Sequence, residues 1–237
     1  MDKIDSYRRI VTYCDVGGPG GFGPNYIRTA QGHAVSSYSE LARKVADIQF
    51  RNRDDVLLFR GQRKDHKTSS GRSNLKASLF RLDGKKIPTS TVLTNRFSPL
   101  RAAEGELVSR YSNQRLLGSG RLRRYRVLRW AILQHYEVCR TPLFDVTQSL
   151  RVAASFASLD NHKANGFVFV FAVPSLAGAV TASSEAGLQV VRLASACPPR
   201  AVRPHLQEGY LLGEDPKSPT TSKTPTATIL KWISGVG

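Results

Sequence analysis

At 237 residues, with 41% hydrophobic and 8% aromatic content, the chain can bury one sizeable core and is too apolar to be disordered throughout. Its 35 Lys and Arg against 18 Asp and Glu leave a formal net charge of +17, a surface that attracts polyanions. No apolar run approaches the ~20 residues that cross a bilayer, and MDKIDSYRRIVTYCD at the N-terminus lacks the apolar centre of a signal peptide.

Residues 1–34 read as an N-terminal extension whose Gly- and Pro-rich stretch, Val16 to Pro24, is a flexible loop. Ser37 and Glu40 form a capping box for a helix with Leu41, Val45 and Ile48 on its apolar stripe. An apolar strand, Val56 to Phe59, then delivers Arg60, and the polar run Arg63 to Arg72 follows as a loop. Ser98-Pro99 reads as a helix start, with Leu100, Ala103, Leu107 and Tyr111 on one face and Gly118 as the stop. An amphipathic run ending in His135-Tyr136 leads to a short extended segment, Leu143 to Thr147, and a helix from Ser149 to Ala157. Gly166 to Pro174 has the composition of a buried central strand, and 188–193 and 209–212 read as further strands. From Glu214 the composition turns to Pro, Ser, Thr and Lys, a flexible tail in which Ile229 to Ile233 is a candidate last element.

Several chemistries are excluded by pattern. The stretch Val16 to Pro24 has no GxxxxGK[ST] and no strand–helix context for a dinucleotide fingerprint. His33, His66, His135, His162 and His205 are scattered without HExxH spacing, so no metal site is expected, and no GxSxG marks a serine nucleophile. Three widely spaced cysteines (Cys14, Cys139, Cys197) form neither a CxxC pair nor a disulfide framework, which fits a reducing, cytoplasmic setting. Arg115, Arg121, Arg123, Arg124, Arg126 and Arg129, interleaved with Tyr111, Tyr125 and Trp130, suit nucleic-acid binding, or else form a solvated helix face.

The blocks FRGQ at 59–62, LKASLFR at 75–81, NRFSPLRAAEGEL at 95–107, LQHYEV to SLRVAASFA at 133–157 and RPHLQEGY at 203–210 resemble the FRG domain, named for its Phe-Arg-Gly motif. They arrive in the family's order over roughly residues 35–212. Their polar residues are also similar in order to the three-strand signature of ADP-ribosyltransferases: Arg or His on a first strand, Ser or Thr on a second that runs into a helix, and Glu on a late one. That resemblance implies NAD as substrate and assigns catalytic places to Arg60, Thr147, and Gln207 or Glu208. Gln62, His135, Tyr136, Asp145 and Tyr210 would complete the cofactor-binding set, with Arg60 holding the phosphate or ribose side. The FRG pattern asks for Gln207, Gly209 and an aromatic, so Glu208 stands at a free position. On a strand, Gln207 and Glu208 would face opposite sides. Each residue also has a structural alternative: an Arg60–Asp145 ion pair, Thr147 as a helix cap, His135 as a core histidine.

The expected fold is a single α+β domain over residues 35–213, with a mixed or mainly antiparallel sheet, flanking helices and a tail from 214. The resemblance in motif order implies a fold like that of ADP-ribosyltransferases. The expected function is an NAD-consuming ADP-ribosyltransferase-like toxin or defence effector with a nucleic-acid or protein target. The alternative is a non-catalytic nucleic-acid-binding module. Either would bind nucleic acid at Arg121, Arg123, Arg124, Arg126 and Arg129 and neither would engage a membrane. Arg60, Thr147 and Gln207 are expected to converge on one cleft from one side of the sheet.

Overall fold

The computed structural model describes residues 10–14, 17–81, 88–160, 165–174, 178–183, 188–198, 201–214 and 227–232. The chain begins with β1 (Ile10–Thr12), β2 (Gly20–Phe22), α1 (Pro24–Thr29), β3 (His33–Val35), α2 (Tyr38–Arg51) and β4 (Asp55–Gln62). A 3-10 turn (Ser78–Phe80), α3 (Ser90–Asn113), α4 (Ser119–Arg124), α5 (Arg126–His135), β5 (Phe144–Thr147) and α6 (Leu150–Ser158) follow. The last elements are β6 (Gly166–Pro174), β7 (Val180–Ser183), β8 (Leu188–Arg192), α7 (Leu193–Ala196), α8 (Val202–Leu206), β9 (Gly209–Glu214) and β10 (Ala227–Trp232).

Eight strands form one sheet in the order β3-β10-β6-β4-β5-β9-β8-β7, parallel only between β3 and β10, and β1 and β2 form a separate hairpin. This is an α+β fold with a mixed, mainly antiparallel sheet, as the patterning predicts. At its centre, β6 alternates Phe and Val and is buried on both faces, since β-branched and aromatic side chains fill a pleated interior well.

One face of the sheet carries Leu58, Phe144, Val146, Phe169, Phe171, Tyr210 and Leu212, covered by Leu75 and Ala77 from the segment after β4. On the other face, α2 and α6 pack Leu41, Val45, Ile48, Ala153 and Ala157 over Leu57, Phe59, Val168 and Val170. Beside them, α4 and α5 lay Leu122, Leu128 and Ile132 over Val191 and Leu211. The seam between α6 and the sheet is unusually close. A Cβ at Gly61 would lie 1.8 Å from the Ala153 carbonyl oxygen, and one at Gly166 would lie 2.6 Å from that of Ala157. Neither glycine is there for its backbone angles; both make room for the helix backbone.

The α2 cap forms as expected, with the Glu40 amide donating to Ser37 Oγ at 3.1 Å. The glutamate reaches one residue further back than a standard box, accepting from the Ser36 amide at 2.8 Å and its hydroxyl at 2.9 Å. Three expectations are corrected. The Gly- and Pro-rich stretch supplies β2 of the hairpin, and Ile10, Cys14, Ile27 and Ala30 bury one another behind it. The helix expected to start at Ser98-Pro99 starts at Ser90, capped by Thr89, and Pro99 lies inside it. The segment around Arg203 to Leu206, expected at a strand end, is the short helix α8. Its Pro204 is the third helical residue, where no amide of the first turn has an intrahelical acceptor to lose.

In the region read as a tail, Ala227–Trp232 is β10, inserted between β3 and β6. The spacer at 215–226 and His162 lie outside the described residues. Among the described residues no helix is long and apolar enough to cross a membrane. Cys14, Cys139 and Cys197 are not joined to one another by disulfides.

Candidate functional site: a split in the sheet at Arg60

Strands β4 and β5 pair at a single position, Phe59 opposite Thr147. Beyond it β4 continues through Arg60, Gly61 and Gln62 bonded only to β6, and β5 continues bonded to β9. The sheet therefore opens, and the opening is part of a cleft of about 590 Å³. The cleft is lined by Arg60, Asp145, Thr147, Gln207 and Tyr210, with Val152, Phe156 and Leu193 as an apolar wall and Glu137, Arg140 and Arg203 among its polar residues.

Arg60 dominates its chemistry. Its Nη1 donates to the Asp145 backbone carbonyl at 2.7 Å, across the gap that a normal ladder would close. The Asp145 carboxylate stands 3.8 Å away and is 62% exposed, so it compensates the charge weakly. The guanidinium carbon lies 4.3 Å from the centre of the Phe144 ring, and Arg60 Nε is buried with no acceptor. Burial pulls the guanidinium pKa down to about 10, with Asp145 opposing the shift, so the group stays charged at neutral pH. A desolvated cation with an unused donor lines an open cleft.

Thr147 is placed differently. Its hydroxyl donates to the Gln207 carbonyl at 2.6 Å and accepts from the Ser149 amide at 3.0 Å, so it ties the turn before β9 to the start of α6. The Gln148 amide donates to the Glu208 carbonyl at 3.1 Å. Two amides at the mouth of α6 are thus already committed, which leaves the helix start less able to hold an anion than the bare motif implies. The pairing with Phe59 also sets Thr147 on the opposite face of the sheet from Arg60. The expectation of one shared face does not hold. Arg60, Thr147 and Gln207 meet only because the cleft runs through the opening between the strands.

The remaining site candidates divide. Tyr210 lines the cleft and donates from its hydroxyl to Gln148 Oε1 at 3.0 Å. Gln207 caps α8 and lines the cleft. Glu208 is exposed, has φ of +44°, and is not among the lining residues. It sits in a left-handed turn and not in a strand, so strand alternation does not set its aim. His135 and Tyr136 pack edge to face at 4.9 Å beside the cleft without lining it, and burial lowers the His135 pKa, with Arg203 adding to the effect. Gln62 is also outside the lining. Residues the motif reading passed over are Glu137, Arg140, Arg203 and Phe156. Glu137 adjoins the His-Tyr pair and Arg203 opens the RPHLQEGY block, so adjacency to a motif was the signal that could have found them.

The arginine cluster splits too. Arg126 makes a two-point pair with Glu104 at 2.9 Å on each arm, and Arg129 reaches the same buried carboxylate at 3.2 Å and the Leu122 carbonyl at 3.0 Å. These two pin α5 to α3 and α4. Arg121, Arg123 and Arg124 are exposed beside the half-exposed Tyr125. Among the described residues no group of three His, Cys, Asp or Glu side chains could hold a metal ion.

Residues 55–166 match the FRG domain family, from the first residue of β4 to the first of β6. The match covers 112 of the 237 residues and identifies this stretch as an FRG domain. The match contains Arg60, Gly61, Asp145 and Thr147, and stops before Gln207 and Tyr210, whose place in the cleft rests on the structure. No curated protein and no solved structure matches the chain. In this FRG domain, the motif's arginine lines the cleft and its glycine admits α6, so adjacent letters do unrelated work.

Proposed function

We propose that the split beside Arg60 binds a phosphate-bearing nucleotide, NAD first among candidates, and that ADP-ribosyl transfer is the reaction it serves. The observation that carries this reading is the buried Arg60 guanidinium, charged, weakly compensated and with Nε unused. Guanidinium groups hold phosphate oxygens through paired donors. The Phe156 and Tyr210 rings and the Val152 and Leu193 side chains offer a flat ring an apolar wall. The carboxylate role differs from the one the motif order implies. Glu208 is turned outward, so Asp145 is the acid nearest Arg60 in the cleft and the better placed to stabilise positive charge developing on a ribose.

The assay is nicotinamide release from NAD by purified protein. Wild type should release it, Asp145→Asn should slow release by about a hundredfold or more, and Glu208→Gln should leave the rate unchanged. Loss of activity in Glu208→Gln with normal activity in Asp145→Asn reverses the assignment. No release by wild type, with or without nucleic acid, reduces the site to a binding module.

A nucleic-acid target is the second part of the proposal, supported by the exposed Arg121, Arg123 and Arg124 on one side of a strongly basic protein. Replacing all three by Gln should weaken single-strand binding and flatten its salt dependence by up to about three counterions. Arg126 and Arg129 are bonded to Glu104 and are expected to contribute less than these three. An unchanged salt slope in the triple variant would place the polyanion elsewhere on the surface.

A further inference from the structure

Helix α5 stops on an unusual residue. The Glu137 amide donates to the Gln134 carbonyl and the Val138 amide to the Leu133 carbonyl, both at 2.9 Å, the two bonds of a Schellman stop. That stop needs a left-handed residue, and glycine is the common choice because it has no Cβ to crowd. Here the residue is Glu137, with φ of +56°. The backbone gains nothing from a glutamate there, so its use lies in the side chain.

That carboxylate lines the cleft and meets Arg203 at 3.1 Å, bridging the end of α5 to α8. Glu137 is 74% exposed and Arg203 54%, so the pair is weak and readily exchanged. Of the charged residues lining the cleft, Asp145 answers Arg60, which leaves Arg203 and the exposed Arg140 against Glu137 alone. The mouth is basic even with the pair formed. Arg203 is also close to the split. It lies one helical turn before Gln207, whose carbonyl accepts from Thr147, the residue across from Phe59 where the strands part. The His135 ring, whose pKa burial lowers, is pushed down further by Arg203 and up by Asp145, so charges from both ends of the cleft act on it.

Building on the nucleotide reading of the split, we infer that Arg203 is a second phosphate subsite, shielded by Glu137, and that the cleft selects pyrophosphate-bearing nucleotides over nucleoside monophosphates. Arg60 takes one phosphate and Arg203 the next, each through guanidinium donors. The second phosphate replaces the Glu137 carboxylate at Arg203, because a two-point charged contact outweighs a single exposed ion pair. A nucleoside monophosphate satisfies Arg60 alone and leaves the Arg203–Glu137 pair closed.

The test is calorimetric titration of the full-length protein with two ligands, melting temperatures being recorded alongside. ADP-ribose keeps the pyrophosphate and has no nicotinamide to lose, and AMP has one phosphate. Arg203→Gln should weaken ADP-ribose binding about tenfold and leave AMP binding unchanged. Glu137→Gln should tighten ADP-ribose binding about three- to fivefold, and should give no gain when combined with Arg203→Gln. Glu137→Gly should share that gain and raise the melting temperature by roughly 2–4 °C, since it relieves the left-handed strain. Equal loss of both ligands in Arg203→Gln, or ADP-ribose affinity unchanged in both single variants, overturns the subsite and leaves a nucleotide at Arg60. So does a Glu137→Gly protein that melts below wild type, because the glutamate then serves the fold. Wild type that binds neither ligand overturns the nucleotide reading and the subsite with it.

Discussion

Gly61→Ala is expected to cripple the fold. Its Cβ would fall 1.8 Å from the Ala153 carbonyl oxygen and 2.8 Å from the Ala157 amide nitrogen, both backbone atoms of α6 that no rotamer change can move. The helix must lift from β4, and Ala153 and Ala157, fully buried now, lose their packing against Phe59 and Val168. Overpacking of this kind costs about 3 kcal/mol or more, which for a chain of this size lowers the melting temperature by roughly 10 °C. Gly105→Ala supplies the comparison. Gly105 lies in α3, and a Cβ added there would meet nothing within 4 Å, so that change should stabilise by about 0.5–1 kcal/mol. A Gly61→Ala protein as stable as wild type would mean that α6 does not rest on β4 as described.

This contact explains why the motif's glycine was legible only as a letter. Sequence showed an apolar strand ending in Arg60-Gly61-Gln62, and Ala153, Ala154 and Ala157 at helical spacing, but not that these small residues meet. Close approach is a property of two segments that lie far apart in the chain. Local signals did better where the physics is local. The Ser37 cap, the Leu41, Val45 and Ile48 stripe, and the β6 run of Phe and Val all formed where patterning placed them. Local signals misled where a distant partner overruled composition. Gly20–Phe22 pairs with Ile10–Thr12, which supplies bonds that a Gly-rich stretch cannot supply for itself. Ser98-Pro99 has the chemistry of a helix start. The actual start at Ser90 is held by Thr89 and by Arg96, whose guanidinium donates to the Leu79 and Arg81 carbonyls.

At the site, the residue types were legible and their aims were not. Strand alternation could not anticipate that β4 and β5 share a single pair, so residues on opposite faces open onto one cleft. Nor could it anticipate α8, which turns Glu208 outward through a positive φ. The suspected pairing of Arg60 with Asp145 exists, but at 3.8 Å and with an exposed carboxylate it is too loose to account for a buried guanidinium.

Arg60 is therefore the residue on which the functional reading turns, and two kinds of substitution separate its roles. If it serves a ligand, the folded protein carries a poorly compensated buried charge for that purpose. Arg60→Met, apolar and of similar reach, should then leave the melting temperature unchanged or raise it. If it serves only to join β4 to β5 through the Asp145 carbonyl, the same change should destabilise by about 3 kcal/mol. The most direct test is calorimetric titration of NAD into wild type, Arg60→Met and Arg60→Lys, with melting temperatures measured alongside. Wild type should bind, and Arg60→Met should lose about a hundredfold in affinity, on the order of 3 kcal/mol for a desolvated charge-assisted contact. Arg60→Lys should recover only part of that, because an ammonium keeps the charge and loses the planar two-point fork. Equal NAD affinity in all three proteins, or a destabilised Arg60→Met with no wild-type binding to lose, would contradict a nucleotide site at the split and leave Arg60 as a strand tie.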